Sequence, residues 1–422
     1  MGSRRSTYWR RVFGGTDNAF TTSRDGSLDT KFTLLLISLS PVYGSYQLPV
    51  TKYPLSNMDE KTWTTVYVLC VSTVISGLVC IVNAYKRLIK FKMEEWKYDL
   101  RVQDIGFWAM LDDNMNKKRN KLTEVPDVTG KIAVVTGGAR GIGYHVVKKL
   151  TELGMKVVLG VRNVEAGNKI AKEFKDLGLT GSIDVYQLDT SSVKSVESFA
   201  NTVSKEYPNI NLLVNNAGIM FGDYSVTEDG FESQLATNYL GHFLLTHLLM
   251  PNLKAAGEKS DSCSRVVNVS SCAHKAFSKI LFDDINFKKK YFSSAAYAQS
   301  KLAQVNILFY NGIFLISNIL QTQGSKVHCY SVHPGVVDTD LFEGTSMKRY
   351  SQWFMNLFFK RPEEGAISIL HTCLSPRLET EGGAYISNCT KGSDSDCSRN
   401  KKDQEKLFKV TCDMLKVKDF GV

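Results

Sequence analysis

The sequence predicts an α/β fold: a doubly wound parallel β-sheet with helices on both faces, preceded by an N-terminal membrane-anchor helix. From Lys131 onwards, short runs that are apolar on both faces alternate with segments of helical length. Such runs are typical of buried parallel strands, and right-handed crossovers between them place helices on both faces of the sheet. The predicted strands are KIAVVT, KVVLGV, IDVYQL, NLLVNNA, RVVNVSS and KVHCYSV, and the predicted helices cover 141–153, 164–177, 192–205 and 228–253.

The N-terminal part of the chain lacks this alternation, and its main feature is an uncharged run. Residues 62–85 read TWTTVYVLCVSTVISGLVCIVNAY. A helix of this length, at about 1.5 Å per residue, crosses a hydrocarbon layer of about 30 Å with some tilt. Lys86, Arg87, Lys90 and Lys92 follow the run at once, which places its C-terminal side in the cytosol. The alternatives are a buried helix or an uncleaved signal-like stretch.

Changes in composition divide the chain into segments. We predict an N-terminal extension at 1–61, a transmembrane anchor at 62–85, a juxtamembrane linker at 86–129, the α/β domain at 130–388 and a charged C-terminal tail at 389–422. The 422 residues of the chain exceed one average domain, which agrees with one large domain and additions to it.

The chain carries an excess of positive charge. Lys plus Arg number 52 against 42 Asp plus Glu, and the net charge of +10 suits a nucleotide, a nucleic acid or a membrane surface. The sequence contains no aromatic stacking motif and no basic recognition helix, which argues against a nucleic-acid partner. Its nine Cys residues form no CxxC pair and no Cys/His cluster with metal-ligand spacing, which indicates reduced thiols and no metal site.

A glycine-rich turn follows the first predicted strand and precedes a helix. It reads TGGARGIG, and its glycines suit a tight turn, close approach of the backbone to a phosphate, and close helix packing. The free N–H groups at the start of the following helix favour an anion. A plain structural turn is the alternative, but the surrounding strands and helices favour a dinucleotide site of Rossmann type. The predicted cofactor contacts are Thr136, Gly137, Arg140, Gly141, Ile142 and Gly143.

The end of the second predicted strand distinguishes two dinucleotides. An acid there binds the ribose 2′-hydroxyl, whereas a cation meets a 2′-phosphate, and this chain has Arg162. Arg140 adds a second cation, so NADP(H) is favoured and NAD(H) is the alternative. The plainer interpretation of both residues is solvated surface arginine. Asp189, at the end of the third strand, is predicted to accept a hydrogen bond from adenine, or else to cap the next helix.

A Tyr and a Lys one helical turn apart are the candidate acid and base. The motif YAQSK places Lys301 four residues after Tyr297, on the same face of a helix. An unperturbed phenol has a pKa of about 10, which an adjacent ammonium group is expected to lower. Ser271 ends a predicted strand, where open sheets bind ligands, and its hydroxyl can donate to a substrate oxygen. The alternatives are an exposed Tyr and Lys on an amphipathic helix and a Ser in a simple turn.

The order of these motifs resembles that of the short-chain dehydrogenase/reductase family, from about Lys131 to Asn388. They are TGGARGIG, NNAG, LATNYLGHF, VSS, YAQSK and HPGVVDT. The resemblance implies hydride transfer with NAD(P)(H), in which Tyr297 donates or accepts the proton and Lys301 binds the nicotinamide ribose. It also implies that Ser271 polarises the substrate oxygen and that Asn238 holds a water relay. Further implied cofactor contacts are Asn216, Ala217, Gly218, Pro334, Gly335 and Thr339.

Finer motifs, DGFE, RPEEGA and GGAY among them, resemble the retinol dehydrogenase group of this family. Within that group the sequence is most similar to the branch that acts on polyprenols in dolichol synthesis. This implies a long-chain isoprenoid alcohol or aldehyde as the substrate, with retinol or retinal as the alternative. An apolar and basic segment at 341–361 suits a lid over a lipid-soluble substrate near anionic headgroups, or else a core helix.

The expected location and assembly follow from the same features. We expect a membrane-anchored enzyme at the endoplasmic reticulum or the lipid-droplet surface, with its catalytic domain facing the cytosol. In the family the helix after YAQSK commonly packs in a dimer interface, but residues 302–325 run longer and lack a clear polar face, which argues against a homodimer. An idle nucleotide-binding scaffold is the alternative of another class, and the intact candidate residues argue against it.

Overall fold

A computed structural model describes residues 59–306, 326–343, 348–349, 352–380, 382–393, 395, 398 and 400–420. The chain divides into two compact units, Met1–Leu88 and Ile89–Val422. Most of the predicted N-terminal extension lies outside the described residues. The same holds for most of the segment 302–325 on which the expectation about a homodimer depends.

The first helix, α1 (Glu60–Met115), contains the run for which a membrane anchor was predicted. Residues 62–85 are helical as expected, but α1 does not end with them and continues through Lys86 and Arg87 to a length of 56 residues. Across the described residues, no helix combines the length and the apolar character that a membrane span requires. The predicted transmembrane anchor is therefore not confirmed.

A mainly parallel β-sheet forms the centre of the second unit. Its strands are β1 (Ile132–Thr136), β2 (Lys156–Val161), β3 (Ser182–Gln187), β4 (Leu212–Asn215), β5 (Ser264–Val269), β6 (Val327–His333), β7 (Tyr385–Ser387) and β8 (Thr390–Lys391). They lie in the order β3-β2-β1-β4-β5-β6-β7-β8, in which only β8 pairs antiparallel. The predicted strands are confirmed, whereas β7 and β8, with three and two residues, are too short for a periodic pattern to reveal.

Helices connect these strands and cover the sheet. They are α2 (Gly141–Glu152), α3 (Val164–Asp176), α4 (Val193–Glu206), α5 (Gly241–Lys259), α6 (Ser293–Asn306), α7 (Gln352–Phe358), α8 (Pro362–Leu374) and α9 (Lys401–Leu415). Along β1, Val134 belongs to one hydrophobic cluster, and Ala133 and Val135 belong to another, because successive strand side chains point to opposite faces. The first cluster includes α4, α5 and α6, and the second includes α2, α3 and α8. The doubly wound arrangement is thus confirmed.

Within the segment 389–422, which was predicted as a charged tail, residues Lys401–Leu415 form the helix α9. Leu407 and Leu415 of α9 are buried in the same cluster as α5 and α6. The ring of Phe408 lies 5.9 Å from that of Phe243, and the hydroxyls of Tyr239 and Thr411 are 2.8 Å apart. The charged residues of α9 outnumber its buried residues, so its composition does not indicate that it packs against the domain. The α/β domain therefore extends at least to α9.

Candidate active site

A cavity of about 830 Å³ lies at the carboxyl ends of the central strands. Here β1 has β2 on one side and β4 on the other, and such a reversal of strand order is where open α/β sheets bind ligands. The cavity brings together these predicted residues: Gly137, Arg140, Gly141, Ile142, Gly143, Arg162, Asn216, Ala217, Gly218, Ser271, Tyr297, Lys301, Pro334, Gly335 and Thr339. Three other predicted residues, Thr136, Asp189 and Asn238, are not among the described residues that line the cavity.

The glycine loop lets another group approach its backbone. Gly137 (φ +68°) and Gly141 (φ +55°) adopt a left-handed conformation that a side chain would strain. A Cβ atom on Gly143 would lie 2.5 Å from Nδ2 of Asn216, so the turns after β1 and β4 are in close contact. The N-cap of α2 is Arg140, and no side chain in the described part of the chain caps this helix, which leaves its first N–H groups available to a phosphate. The loop therefore fits the pyrophosphate of a dinucleotide.

Two arginines line the cavity beside this loop. Arg162 directly follows β2 and is exposed, and the next residue, Asn163, caps α3 by accepting the N–H of Ala166 at 3.0 Å. This strand end therefore presents a cation and an amide, with no carboxylate. Arg140 lies 3.4 Å from Asp340, and because both side chains are largely in solvent, this ion pair holds the arginine only weakly.

Asp189 is not among the described residues that line the cavity, and its predicted adenine contact stays a prediction. Its carboxylate accepts hydrogen bonds from the N–H and the hydroxyl of Ser191, at 2.9 and 2.7 Å. Ser192 caps α4, which the alternative interpretation assigned to Asp189. The cavity is lined instead by its neighbours Leu188 and Thr190.

Thr136 does not line the cavity, but it holds the loop after β4 in place through buried hydrogen bonds. Its hydroxyl oxygen accepts the N–H groups of Asn216 and Ala217, both at 3.0 Å, and lies 3.0 Å from Nε2 of His242. Burial lowers the pKa of His242 to about 4, so the ring is neutral. Its Nδ1 donates to the carbonyl of Asn238 at 3.0 Å, so Nε2 must accept the Thr136 proton. His242, which sequence analysis did not single out, thereby fixes the loop after β4.

Asn238 lies in a π-helical stretch, Ala236–Leu240, that leads into α5. Its Oδ1 accepts the N–H of Ile219 at 2.9 Å, and its Nδ2 donates to the carbonyl of Ile219 at 3.0 Å and to the hydroxyl of Ser300 at 2.9 Å. These bonds occupy the side chain, which ties the loop after β4 to α6. The water relay at Asn238 stays a prediction.

Tyr297 and Lys301 both project from α6 into the cavity, with Ser271 at the end of β5. Lys301 Nζ lies 5.8 Å from the centre of the Tyr297 ring and donates to the carbonyl of Val269 and to Oε1 of Gln304, both at 2.9 Å. Burial lowers the pKa of Lys301 to about 7. Near neutral pH, therefore, the protonated and the neutral forms of this amine are both present.

The pKa of Tyr297 differs from the expectation. Burial raises this pKa above its usual value, and a hydrogen bond with the side chain of Ser271 opposes the rise. The expected lowering by an adjacent ammonium is absent because the Lys301 amine is itself desolvated and is bonded to other groups. Tyr297 is therefore a protonated phenol at neutral pH, and Phe221 packs edge-on against its ring at 5.4 Å.

Comparison with known proteins assigns the family. The family model described as short chain dehydrogenase matches residues 131–349, which is more than half of the chain. The chain belongs to the short-chain dehydrogenase family. It is accordingly an NAD(P)-dependent oxidoreductase of the retinol dehydrogenase-like kind.

Three relatives and one solved structure are similar to this chain. Retinol dehydrogenase 11 from Homo sapiens is 39% identical over 69% of this chain and 88% of its own length. Polyprenol dehydrogenase from Danio rerio is 36% identical over 71% of this chain and 91% of its own, and the Homo sapiens enzyme of that name is 34% identical over 76% and 96%. A solved structure of an uncharacterized protein from Mycobacterium paratuberculosis superposes with a TM-score of 0.55 at 28% identity, covering 69% of this chain and 96% of that one.

The low pKa of Lys301 predicts a pH dependence of stability in this dehydrogenase. In the unfolded chain the amine has its ordinary pKa of 10.5, whereas in the folded protein the pKa is about 7. Between these values the unfolded state binds more protons, so the contribution of Lys301 to the free energy of unfolding rises with pH. We expect wild type to gain stability relative to Lys301→Met from pH 7 to pH 10, measured by urea unfolding without dinucleotide. A constant difference across that range would contradict the low pKa.

Sequence analysis missed one wall of the dehydrogenase site. Val102, Gln103, Gly106, Phe107 and Met110 of α1 line the cavity, although this segment was predicted to be part of a linker. Their spacing along one helix face was the available signal. His333, at the end of β6, also lines the cavity. Burial lowers its pKa to about 4, and its Nδ1 accepts the N–H of Cys272 at 3.2 Å.

Proposed function

We propose that this oxidoreductase interconverts a long-chain isoprenoid alcohol and its aldehyde, polyprenol and polyprenal or dolichal and dolichol, with NADP(H) as the favoured cofactor. One observation carries the proposal: eight large apolar side chains line the cavity that also holds Tyr297, Ser271 and Lys301. These are Val102, Phe107, Met110, Met220, Phe221, Leu341, Phe342 and Phe359. Such a cavity suits a substrate with a single polar end and a hydrocarbon body. Two of the relatives are named polyprenol dehydrogenase.

The side chains at the polar end can perform the proton chemistry. Tyr297 Oη, protonated at neutral pH, donates a hydrogen bond and then its proton to an aldehyde oxygen as this oxygen gains negative charge. The hydroxyl of Ser271, which is hydrogen-bonded to this phenol, can rotate to donate its single proton to the aldehyde oxygen instead. Lys301, whose Nζ lies 5.8 Å from the centre of the Tyr297 ring, would bind the nicotinamide ribose, and solvent would restore the proton to the phenol. When bound, the nicotinamide supplies or accepts the hydride.

The dinucleotide would be held by the glycine loop and by other residues that line the same cavity. The N–H groups at the start of α2 bind its phosphates, and the loop of Asn216, Ala217 and Gly218 lies along its adenosine side. Pro334, Gly335 and Thr339 also line the cavity, and we assign them to the nicotinamide. The left-handed glycines of the loop and the N-terminus of α2, which has no side-chain cap among the described residues, support this assignment.

The preference for NADP(H) depends on Arg140 and Arg162. Replacing both with Gln removes the cations that would meet a 2′-phosphate. Since a charge-assisted contact contributes about 1.5–3 kcal/mol, we expect the Kd for NADPH to rise at least tenfold while that for NADH changes by less than about threefold. Isothermal titration of the double variant with each dinucleotide measures this. Equal losses for both dinucleotides would reject the preference.

One assay tests the proposed function directly. The purified protein in detergent receives polyprenol, dolichal or retinal with each nicotinamide dinucleotide, and product is separated by chromatography. We expect turnover of the isoprenoid alcohol or aldehyde with a higher kcat/KM than that for retinal. Retinol dehydrogenase activity is the second candidate, favoured by the relatives of that name, and a higher kcat/KM for retinal would establish it instead.

We also propose that the enzyme works at a lipid surface of the endoplasmic reticulum or the lipid droplet, with its catalytic domain in the cytosol. The uncharged run at 62–85, followed by Lys86 and Arg87, supports this. The side chains of Trp353 and Leu357 in α7, which are 70% and 66% exposed, add apolar surface to the second unit. Flotation with phospholipid vesicles tests it, and a protein that stays in the lipid-free fraction would contradict it.

A further inference from the structure

One face of α1 forms a wall of the cavity that the family model does not cover. The face consists of Val102, Gln103, Gly106, Phe107 and Met110, which we call the α1 wall. Residues at these spacings lie within one side of a helix. The family match begins only at residue 131, so this wall is an addition to the matched domain.

The C-terminal end of the α1 wall is fixed by a buried ion pair. Asp113 lies 3.0 Å from Lys360 Nζ, and the two side chains are 3% and 8% exposed. The second carboxylate oxygen of Asp113 accepts the N–H of Val336 at 2.7 Å, and Lys360 also donates to Asn388 Oδ1 at 2.6 Å. Asn114 donates to the carbonyl of Phe358 at 3.0 Å. The helix therefore cannot swing away from the cavity at this end.

The other end of the wall is held by aromatic packing. The ring of Tyr98 lies 5.6 Å from that of Phe277 and 5.5 Å from that of Phe292, and Phe91 lies 5.1 Å from Phe292. Glu94 forms an ion pair with Lys290. With both ends fixed, the α1 wall is a rigid surface, and its side chains determine the free width of the cavity.

Gly106 occupies the middle of this wall and leaves space there. A Cβ atom built on Gly106 meets no heavy atom of the described residues within 4 Å, and its backbone is helical, so the position demands no glycine for conformational reasons. Glycine in a helix interior is unfavourable relative to alanine. Gly106 therefore makes the helix less stable than alanine would. In return it leaves open volume beside Phe107 and Met110.

We infer that the α1 wall determines substrate specificity, and that the open space at Gly106 admits the hydrocarbon chain of a long isoprenoid alcohol or aldehyde. The inference rests on the proposed function and adds the residues that select chain length. A larger side chain at position 106 would narrow the cavity beside Phe107 and Met110, so we expect it to exclude long substrates. Gly106 is not one of the residues assigned to the dinucleotide, so binding of the dinucleotide should be retained.

The test compares Gly106→Leu with wild type and with the matched control Gly77→Leu. Gly77 lies in the same helix, its built Cβ also meets no atom within 4 Å, and it does not line the cavity. For Gly106→Leu we expect kcat/KM for polyprenol to fall at least about tenfold and that for the short alcohol geraniol to change less than about threefold. Gly106→Ala should lie between, and Gly77→Leu should match wild type. Thermal unfolding verifies that each variant is folded.

Direct binding separates failure of this inference from failure of the proposed function. Equilibrium dialysis measures radiolabelled polyprenol and, separately, NADPH on the same variants. Loss of polyprenol binding in Gly106→Leu with an unchanged Kd for NADPH supports the wall even if wild type shows no turnover, an outcome that would overturn only the proposed function. Equal polyprenol binding in Gly106→Leu and wild type, or equal losses of kcat/KM for polyprenol and geraniol, would overturn the inference.

Discussion

Replacing Tyr297 by Phe is expected to lower kcat by about 10²–10⁴-fold, because the ring is kept and the only proton donor on it is removed. The phenol of Tyr297 is buried, its pKa is raised by that burial, and its side chain is bonded to Ser271, so no solvent hydroxyl easily takes its place. The rate is measured as the change in NADPH absorbance with dolichal. The Kd for NADPH, obtained by isothermal titration, should stay within about threefold of the wild-type value.

A matched control accompanies this variant. Tyr186→Phe also removes one phenolic hydroxyl, but Tyr186 lies in β3, bonds to Glu206 and Tyr207, and does not line the cavity. We expect Tyr186→Phe to retain wild-type turnover. Turnover of Tyr297→Phe within about threefold of wild type would show that another group transfers the proton.

Replacing Asp113 by Ala is expected to lower the free energy of unfolding by about 3–5 kcal/mol. The change leaves the ammonium of Lys360, which is 8% exposed, without its counter-ion, and leaves the N–H of Val336 without its acceptor. An uncompensated buried charge costs far more than an exposed one, so the loss exceeds that of a surface ion pair. Urea unfolding followed by circular dichroism measures the difference.

Two variants test the cause of this loss. Asp104→Ala removes an exposed acid from the same helix and is expected to change stability by less than about 0.5 kcal/mol. Adding Lys360→Met to Asp113→Ala removes the stranded charge, so the double variant should be more stable than Asp113→Ala alone. If Asp113→Ala were no less stable than Asp104→Ala, the buried pair would not be fixing α1.

The sheet and the glycine loop could be predicted because each depends on a local pattern. Strands such as KIAVVT are apolar on both faces, and a glycine turn between a strand and a helix has few alternative conformations. The position of Tyr297 beside Lys301 follows from helical spacing alone. The actual pKa values could not be predicted, because they depend on burial and on the partners of Lys301, Val269 and Gln304, which come from the packed structure.

The α1 wall and the packing of α9 were not predicted for a related reason. The face of α1 that contains Val102 and Met110 has polar neighbours in sequence, such as Arg101 and Asp104, so the segment is typical of a linker. The segment becomes part of the site because Asp113 of α1 bonds to Lys360 and Val336, which lie far along the chain. Similarly, the contacts of Leu407 with the cluster around α5 override the polar composition of α9.

The ties that fix α1 also bear on the order in which the molecule assembles. Asp112 accepts a hydrogen bond from Asn388, 276 residues away, and Asp113 bonds to Val336, 223 residues away. Closing so long a stretch of chain costs more entropy than pairing neighbouring strands, and such contacts form late in folding. We therefore expect the nascent sheet to acquire its dinucleotide crevice first, and the selectivity for substrate to arise only in the final docking of α1.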